Sequence, residues 1–453
     1  MTRSKSNKVD GRQVVLDMLL ETLEDKKFSH IVLNNTLSKY QDLGKQERAF
    51  ISRVFIGSVK SYITLDYIID EFSSLPVKKM KPLIRNLLRL SVYQIFKMDQ
   101  VPDSAVCNEA VKIVKRSKFR NLSGFVNGVL RNIVRNKDNI KFPEFKKEPK
   151  RYLSVKYSVP EWLVDLMIKQ YDTETAELIF SASLEEKETS IRCNQKKVTP
   201  EDLKNYLDQE KVSWVQSPIL DYAFTISVYD YLNKLSSFKK GLYAVQDVSS
   251  MLVCEVAGIK ETDYLIDVCA APGGKALHAA EKANLVSARD LTDRKIKLIE
   301  ENRLRMGFDN VECKVWDATK RDDSSIQKAD LVIADLPCSG LGVLGKKADI
   351  KYQMSRKQLG DLVDLQRKML DTVKDYVKPG GILIYSTCTL NKEENIENVE
   401  WFLDNNQEFQ KESLDEFLPN SLHSDTTKLG YLQLIQGVHE TDGFFLARMR
   451  RNQ

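Results

Sequence analysis

The sequence predicts a multidomain protein with an all-α N-terminal part, a small α+β middle part and a doubly wound α/β C-terminal part. The 453 residues are enough for about three domains of ordinary size. Apolar residues follow helical spacing at first, and from residue 241 short apolar strands alternate with amphipathic helices. Hydrophobic residues make up 42% of the chain and charged residues 29%, as in globular proteins. We place the three parts at residues 1–140, 141–240 and 241–453.

The N-terminal part is predicted to be helical throughout. Residues 10–136 contain little glycine and no alternation of apolar and polar residues. Helical spacing is clearest in two groups of apolar residues, Val15, Met18 and Leu19, and then Ile84, Leu88, Val92 and Ile95. Pro76 and Pro82 indicate a helix boundary. The charged stretch 136–150, which contains Pro143 and Pro149, is predicted to be a linker.

The middle part mixes the two patterns. We predict helices over residues 161–170, 175–183 and 200–207, and a strand over residues 190–194. Helices and strands that follow one another without a regular alternation favour an α+β unit.

The C-terminal part is predicted to be a mostly parallel sheet with helices on both faces. The predicted strands cover residues 264–268, 285–289, 311–315, 331–334, 382–385 and 442–448. The predicted helices cover residues 294–305, 358–377 and 395–403. Doubly wound sheets of this kind bind ligands beyond the carboxyl ends of their strands, so that edge is where we expect the functional site.

Charge is distributed unevenly along the chain. Residues 1–137 carry 25 basic against 13 acidic side chains, a net charge of +12. The rest carries 44 against 51, a net charge of −7. A basic part of this size indicates a surface that faces nucleic acid, and the densest basic run is Lys112, Lys115, Arg116, Lys118 and Arg120.

The cysteines and histidines indicate neither a disulfide framework nor a metal site. Seven cysteines include no Cys-x-x-Cys pair, and the four histidines are dispersed. We therefore expect no metal and a reduced chain with one or two reactive thiols. No apolar run reaches the roughly 18 residues of a membrane span, and no signal-type apolar core follows the basic N-terminus. We expect a cytoplasmic, monomeric protein without membrane contact.

Acidic residues and a glycine-containing loop lie at the ends of the predicted strands. The loop Asp267-Val268-Cys269-Ala270-Ala271-Pro272-Gly273-Gly274-Lys275 follows the first strand of the C-terminal part, and its glycines allow close approach of a ligand to the backbone. The loop matches neither the dinucleotide nor the Walker pattern. Asp290, Asp317 and Asp335 end the next three strands. Together they predict an adenosine-type cofactor without a polyphosphate.

Two cysteines also follow predicted strands. Cys338 lies in Asp335-Leu336-Pro337-Cys338-Ser339-Gly340, and Cys388 lies in Tyr385-Ser386-Thr387-Cys388-Thr389. Carboxyl ends of parallel strands meet at one edge, so both thiols are predicted to face the cofactor. On chemical grounds alone, either thiol is suited to nucleophilic attack.

These motifs resemble the RNA cytosine-5 methyltransferases of the NOL/NOP/Sun group. The resemblance lies in the loop 267–275, in the Pro-Cys and Thr-Cys stretches and in the closing Asp442-Gly443-Phe444-Phe445. The segment 124–131 is similar to the helical NusB-type RNA-binding domain. Over most of the chain the resemblance implies a NusB-like domain, a small α+β domain and a Rossmann-like domain that uses S-adenosylmethionine.

The resemblance also implies a role for each site residue. The methionine and adenosine portions of the cofactor would be lined by Cys269, Ala270, Ala271, Pro272, Gly273, Gly274 and Lys275. Asp290 resembles the ribose-binding acid, and Asp317 the residue beside the adenine. Asp335 would lie near both the cofactor and the target base, and Gln246-Asp247 would flank the pocket. Cys388 would be the nucleophile, and Cys338 would help to release the product.

The implied substrate is a specific cytosine in 16S ribosomal RNA, either free or in a partly assembled small subunit. A transfer-RNA cytosine-5 methyltransferase is one alternative, and the NusB-like segment argues against it. A non-catalytic RNA-binding or antitermination factor is another alternative, and the two cysteines argue against it.

Overall fold

The structure is a computed structural model that describes residues 9–453. The described chain forms two compact units. The first, called here the helical unit, comprises residues 9–185 together with Leu344–Gln353. The second, the sheet unit, comprises Glu186–Val343 and Met354–Gln453. Within the described residues, no helix is long and apolar enough to cross a membrane.

Among its described residues the helical unit contains helices and loops but no strand, which confirms the helical prediction for the described part of residues 10–136. Its α-helices are Gly11–Leu19, Ser29–Lys39, Lys45–Lys60, Tyr62–Phe72, Pro82–Lys97, Asp103–Arg116, Ser123–Asn136, Pro149–Tyr157, Glu161–Gln170, Thr173–Leu184 and Ile350–Gln353. The helix Pro82–Lys97 lies at the centre of the core, and its buried face includes Leu87, Leu88 and Val92. Within it, the buried Arg89 donates from Nε and Nη2 to the two carboxylate oxygens of Asp66 at 2.7 and 2.8 Å. A paired charge of this kind avoids the cost of an isolated buried ion.

The segment Leu344–Gln353 packs within the helical unit. The Asp349 carboxylate accepts hydrogen bonds from the backbone N–H and the hydroxyl of Ser29. The ammonium of Lys351 donates to the carbonyl oxygens of Lys60 and Tyr157 at 3.1 and 3.3 Å. Burial lowers the pKa of Lys351 to about 7.

The sheet unit begins with a four-stranded antiparallel sheet. Its strands are β1 (Thr189–Cys193), β2 (Ser213–Gln216), β3 (Ala223–Ser227) and β4 (Tyr243–Val245), in the order β2-β3-β1-β4. The helices Pro200–Gln209 and Ser236–Lys239 lie between these strands in the chain. The predicted strand over 190–194 and helix over 200–207 are confirmed to within two residues, whereas the sequence did not predict β2, β3 or β4.

The larger sheet forms the α/β part. Its strands are β5 (Tyr264–Asp267), β6 (Leu285–Asp290), β7 (Val311–Val315), β8 (Ala329–Asp335), β9 (Val377–Thr387), β10 (Phe409–Lys411), β11 (Tyr431–Leu434) and β12 (Phe444–Arg451). The order is β10-β12-β9-β8-β5-β6-β7, and β11 pairs with β12. The strands β5 to β9 are parallel to one another, and β12 runs antiparallel to β9.

Helices complete the sheet unit, and one of them corrects a predicted boundary. They are Val248–Ala257, Gly274–Ala279, Asp293–Met306, Arg356–Val373, Ile396–Asn405 and Asp425–Lys428. The predicted helix over 358–377 is too long, because the α-helix ends at Val373 and β9 begins at Val377. Pro379 disfavours helical backbone at Lys378, so the chain is already extended there.

Candidate active site

The loop between β5 and the helix Gly274–Ala279 is fixed against the carboxyl end of β6. The backbone N–H of Ala270 donates to the carbonyl of Arg289 at 2.8 Å. The N–H of Ala271 donates to Oδ2 of Asp290 at 3.0 Å, and Oδ1 of Asp290 lies 2.9 Å from Nζ of Lys295. Asp290 therefore shapes this loop, in addition to the ligand contact that the sequence predicts for it.

Gly273 turns the loop into the helix. Its φ of +108° lies in the left-handed region, which side chains with a Cβ adopt only at a cost. Next to it, the amide of Gln246 packs 3.7 Å from the position that a Cβ on Gly274 would occupy. The buried Arg192 orients that amide by donating from Nε to its oxygen at 2.9 Å. The structure thus places Gln246 beside the predicted cofactor loop.

Lys275 and Asp335 form an ion pair at the edge of the sheet. Nζ of Lys275 lies 2.6 Å from Oδ2 of Asp335, and the hydroxyl of Ser386 donates to Oδ1 at 2.8 Å. Burial alone would lower the pKa of Lys275, but the charge and hydrogen bond of Asp335 and the charges of Asp267 and Cys388 raise it above the usual value. The lysine is therefore a fixed positive charge within the site.

Asp267, the first residue of the predicted cofactor loop, is a site residue for which the sequence predicts no role of its own. It is buried, and its Oδ2 has no hydrogen-bond partner among the described residues. Burial and the nearby negative charge of Asp335 raise its pKa to about 7, against the opposing effect of Lys275. Its place at the end of β5, directly before the loop, is the sequence signal that identifies it.

We expect Asp267→Asn to stabilise the protein selectively at neutral and alkaline pH. The unfolded chain loses this proton near pH 4 and the folded protein near pH 7, so wild-type stability falls across that interval as the pH rises. The variant lacks this loss, and its melting temperature relative to wild type should rise from about pH 4 to about pH 7. Calorimetry checks the result, with the exposed Asp309→Asn as the control. A difference in melting temperature between variant and wild type that is the same at every pH would contradict this expectation.

Asp317 lies just beyond β7, and its side chain is held by its own loop. Oδ1 accepts from the N–H and the hydroxyl of Thr319 at 3.0 and 2.7 Å, and these bonds lower its pKa. Asp290 and Asp335 are the last residues of β6 and β8, and Asp317 lies two residues beyond β7. These strands and β5 are neighbours in the order β8-β5-β6-β7. The structure therefore places all three along one edge of the sheet.

The two predicted thiols are in contact. The sulfur atoms of Cys338 and Cys388 are 3.3 Å apart. The hydrogen bond with Cys388, together with burial, raises the pKa of Cys338 well above its usual value. Cys338 is therefore held as a neutral thiol whose hydrogen can point at the sulfur of Cys388.

Backbone contacts between glycines fix the loops that carry these thiols. The N–H of Gly342 donates to the carbonyl of Cys388 at 3.0 Å, and the N–H of Gly443 donates to the carbonyl of Gly342 at 2.9 Å. A Cβ on Gly342 would lie 2.0 Å from the oxygen of Gly443, so only glycine allows this approach. The closing Asp442-Gly443 motif thus supports the cysteine loops.

The site contains no cluster that could hold a metal ion. Among residues 9–453, no group of three His, Cys, Asp or Glu side chains has the geometry of a metal site.

Glu394 is a buried residue of the site that was not predicted from the sequence. Its carboxylate accepts a hydrogen bond from the backbone N–H of Ser339, the residue after Cys338.

Comparisons with known proteins agree with this architecture. Residues 10–135 match the NusB family, residues 159–230 the ferredoxin-like domain of RsmF/B-like methyltransferases, and residues 256–450 the family described as 16S rRNA methyltransferase RsmB/F. The chain is 32% identical over 449 residues to a probable ribosomal RNA small subunit methyltransferase B of Bacillus subtilis, covering 98% of this chain and 99% of the relative.

Solved structures share the fold. The crystal structure of PH0851 superposes with a TM-score of 0.81 at 24% identity, covering 99% of this chain and 100% of the other. NSun6 from Pyrococcus horikoshii, solved with SFG, superposes with a TM-score of 0.58 at 23% identity, covering 65% of this chain and 98% of the other. The solved structures show the shared fold. The matches to the family models and the near full-length similarity to the Bacillus protein show that the chain belongs to the RsmB/F family of 16S rRNA methyltransferases.

Proposed function

We propose that this protein transfers a methyl group from S-adenosylmethionine to carbon 5 of a specific cytosine in 16S ribosomal RNA, in the cytoplasm. The observation that carries the proposal is the 3.3 Å contact between the thiols of Cys338 and Cys388, which follow two adjacent parallel strands. Membership of the RsmB/F family supports the substrate, and the +12 charge of residues 1–137 suits RNA.

The residues present fit the cofactor. The segment from Cys269 to Lys275 contains a left-handed glycine and a helix N-terminus. Two residues before it, the buried Asp267 has an oxygen without a hydrogen-bond partner among residues 9–453. This loop, Asp290, Asp317 and Asp335 would hold the cofactor. When it is bound, S-adenosylmethionine supplies an electrophilic methyl group.

Cys388 is the proposed nucleophile. Carbon 5 of cytosine is a poor nucleophile, and addition of a thiolate to carbon 6 makes it enamine-like. The fixed ammonium of Lys275 favours the thiolate form, since the charge of Cys388 is one of the interactions that raise the pKa of Lys275. Asp335 is proposed to hydrogen-bond the ring of the base and so to stabilise the adduct.

Cys338 is proposed to act when the adduct breaks down. Loss of the proton from carbon 5 re-forms the ring double bond and expels the Cys388 sulfur as a thiolate. A neutral Cys338 thiol at 3.3 Å can donate its hydrogen to this leaving sulfur and stabilise the charge that develops there. The raised pKa of Cys338 keeps that hydrogen in place.

Labelled S-adenosylmethionine offered with three RNA substrates tests the proposal. We expect label in free 16S ribosomal RNA or in partly assembled small subunits, and no label in transfer RNA. Mapping of the label should find 5-methylcytosine at one position. Label in transfer RNA alone would favour a transfer-RNA methyltransferase, and RNA binding without label would favour a non-catalytic factor.

A further inference from the structure

Glu394 is a buried carboxylate that binds the loop of Cys338 directly. Its Oε2 accepts from the N–H of Ser339 at 2.8 Å and from Nε2 of Gln366 at 3.0 Å. Its Oε1 accepts from the hydroxyl of Ser339 at 2.6 Å and from Nδ2 of Asn391 at 3.2 Å. Four neutral donors therefore converge on one carboxylate that is 0% exposed, and Ser339, which supplies two of them, follows Cys338 in the chain.

A hydroxyl pair extends this contact to the second cysteine. The oxygens of Ser339 and Thr389 are 2.6 Å apart, and Thr389 follows Cys388. An ionised carboxylate only accepts, so the single hydroxyl hydrogen of Ser339 goes to Glu394. Thr389 must then donate its own hydrogen to Ser339. The charge on Glu394 thus fixes the direction of every hydrogen bond from the carboxylate to the loop of Cys388.

The two loops depend on Glu394 to different degrees. The N–H of Gly342 donates to the carbonyl of Cys388 at 3.0 Å and so joins the two loops. The loop of Cys388 has further support of its own, because Nδ2 of Asn395 donates to the carbonyl of Thr389 at 3.0 Å. On the other side, Gln366 donates to the carbonyl of Pro337 at 2.9 Å as well as to Glu394. Contacts through Glu394 and Gln366 therefore flank Cys338 on both sides.

A gain in the stability of the fold does not explain why the carboxylate of Glu394 is buried. Burial raises the pKa of Glu394, and the hydrogen bonds from Ser339, Asn391 and Gln366 only partly offset this effect. Burying a carboxylate costs free energy, and an apolar side chain of similar volume avoids that cost. A carboxylate at this place supplies several acceptors that hold one loop in one orientation.

We propose that Glu394 is a positioning residue that holds the Cys338 thiol against Cys388 and thereby controls release of the methylated base rather than attack on it. The expected effect on turnover rests on the proposed function. The position of the thiol itself can be measured without RNA.

Glu394→Gln tests the effect on turnover. Glutamine has the same shape but replaces one acceptor oxygen by a donor nitrogen, so at least one of the donors around it loses its acceptor. We expect kcat to fall about tenfold, the effect of losing one hydrogen bond to a charged group, while KM for S-adenosylmethionine stays unchanged. Covalent protein–RNA adduct should accumulate on a denaturing gel. The neighbouring exposed Glu393→Gln is the matched control and should behave as wild type.

Alkylation of the RNA-free protein tests the position of the thiol. With iodoacetamide and mass spectrometry, Cys338 in Glu394→Gln should react faster and at lower pH than in wild type, because loosening its contact with Cys388 removes the main cause of its raised pKa. Cys269 and Cys313 serve as internal references. Unchanged alkylation of Cys338 would overturn the inference whether or not the protein methylates RNA.

Ser339→Ala gives a second route to the same result. It removes the hydroxyl between Glu394 and Thr389 and leaves the backbone N–H bond to Glu394 in place. As with Glu394→Gln, we expect more covalent adduct and faster alkylation of Cys338 than in wild type. A folded Glu394→Gln or Ser339→Ala that loses adduct formation would show that the carboxylate acts on attack, and it would overturn the inference. A wild type that forms neither adduct nor product refutes the proposed function and leaves the alkylation result standing.

Discussion

Cys388→Ala is expected to abolish methyl transfer and adduct formation together. Without the thiolate, carbon 5 of cytosine stays a poor nucleophile, and loss of a nucleophile in other enzymes lowers turnover by at least about 10³-fold. Transfer of labelled methyl groups to RNA measures the rate, and a denaturing gel detects the adduct. The alanine removes only a half-buried thiol, so cofactor affinity and melting temperature should stay close to wild type.

Cys313→Ala is the matched control for this variant. Cys313 is also half-buried, and it lies within β7, outside the thiol pair. It should retain wild-type turnover. If Cys388→Ala retained full turnover, the role assigned to this cysteine would be wrong, and Cys338 would be the remaining nucleophile at the site.

Cys338→Ala is expected to trap the enzyme on its RNA. Attack by Cys388 does not need the second thiol, but release loses the hydrogen-bond donor that lies 3.3 Å from the leaving sulfur. A covalent protein–RNA band should therefore accumulate in a denaturing gel when S-adenosylmethionine is present, while multiple turnover falls by about 10²-fold or more.

The double variant Cys338→Ala with Cys388→Ala identifies the sulfur in that band. It should form no adduct, since the nucleophile is absent. Turnover by Cys338→Ala at the wild-type rate, without a band, would contradict the role in release. A band that persisted in the double variant would show that neither thiol forms it.

Much of the fold can be predicted from the sequence, because apolar residues recur at different intervals in strands and in helices. The five parallel strands contain short apolar runs, with α-helices between all neighbours in the chain except β7 and β8. Each overlaps a predicted strand, although β9 begins five residues before its predicted start at residue 382. The strands β2 and β4 were missed because they are only four and three residues long, and β2 alternates half-buried with exposed residues. Such short segments carry little periodicity, and pairing with β3 and β1 defines them.

Most residues of the candidate site could be predicted from the sequence, but the contacts between their side chains could not. Strand ends place Cys338 and Cys388 on one edge, but the sequence does not give the strand order that makes β8 and β9 neighbours. Glu394 was missed because its partners Ser339 and Gln366 lie far away along the chain. A glutamate among Lys392, Glu393 and Glu397 looks like part of a solvated surface until packing shows that it is buried.

The pairing of β8 with β9 has a consequence for how such proteins diversify. Asp335 is in register with Ser386, so Cys338 and Cys388 begin from neighbouring strand ends regardless of what joins them. Neighbouring strands keep a spacing of about 4.8 Å whatever the length of their connection, and surface connections tolerate insertions at small entropic cost. The connection here contains Leu344–Gln353, which belongs to the helical unit. The length of the chain between the two thiols can therefore change without separating the strand ends that carry them, and here it is long enough to include a segment of the helical unit.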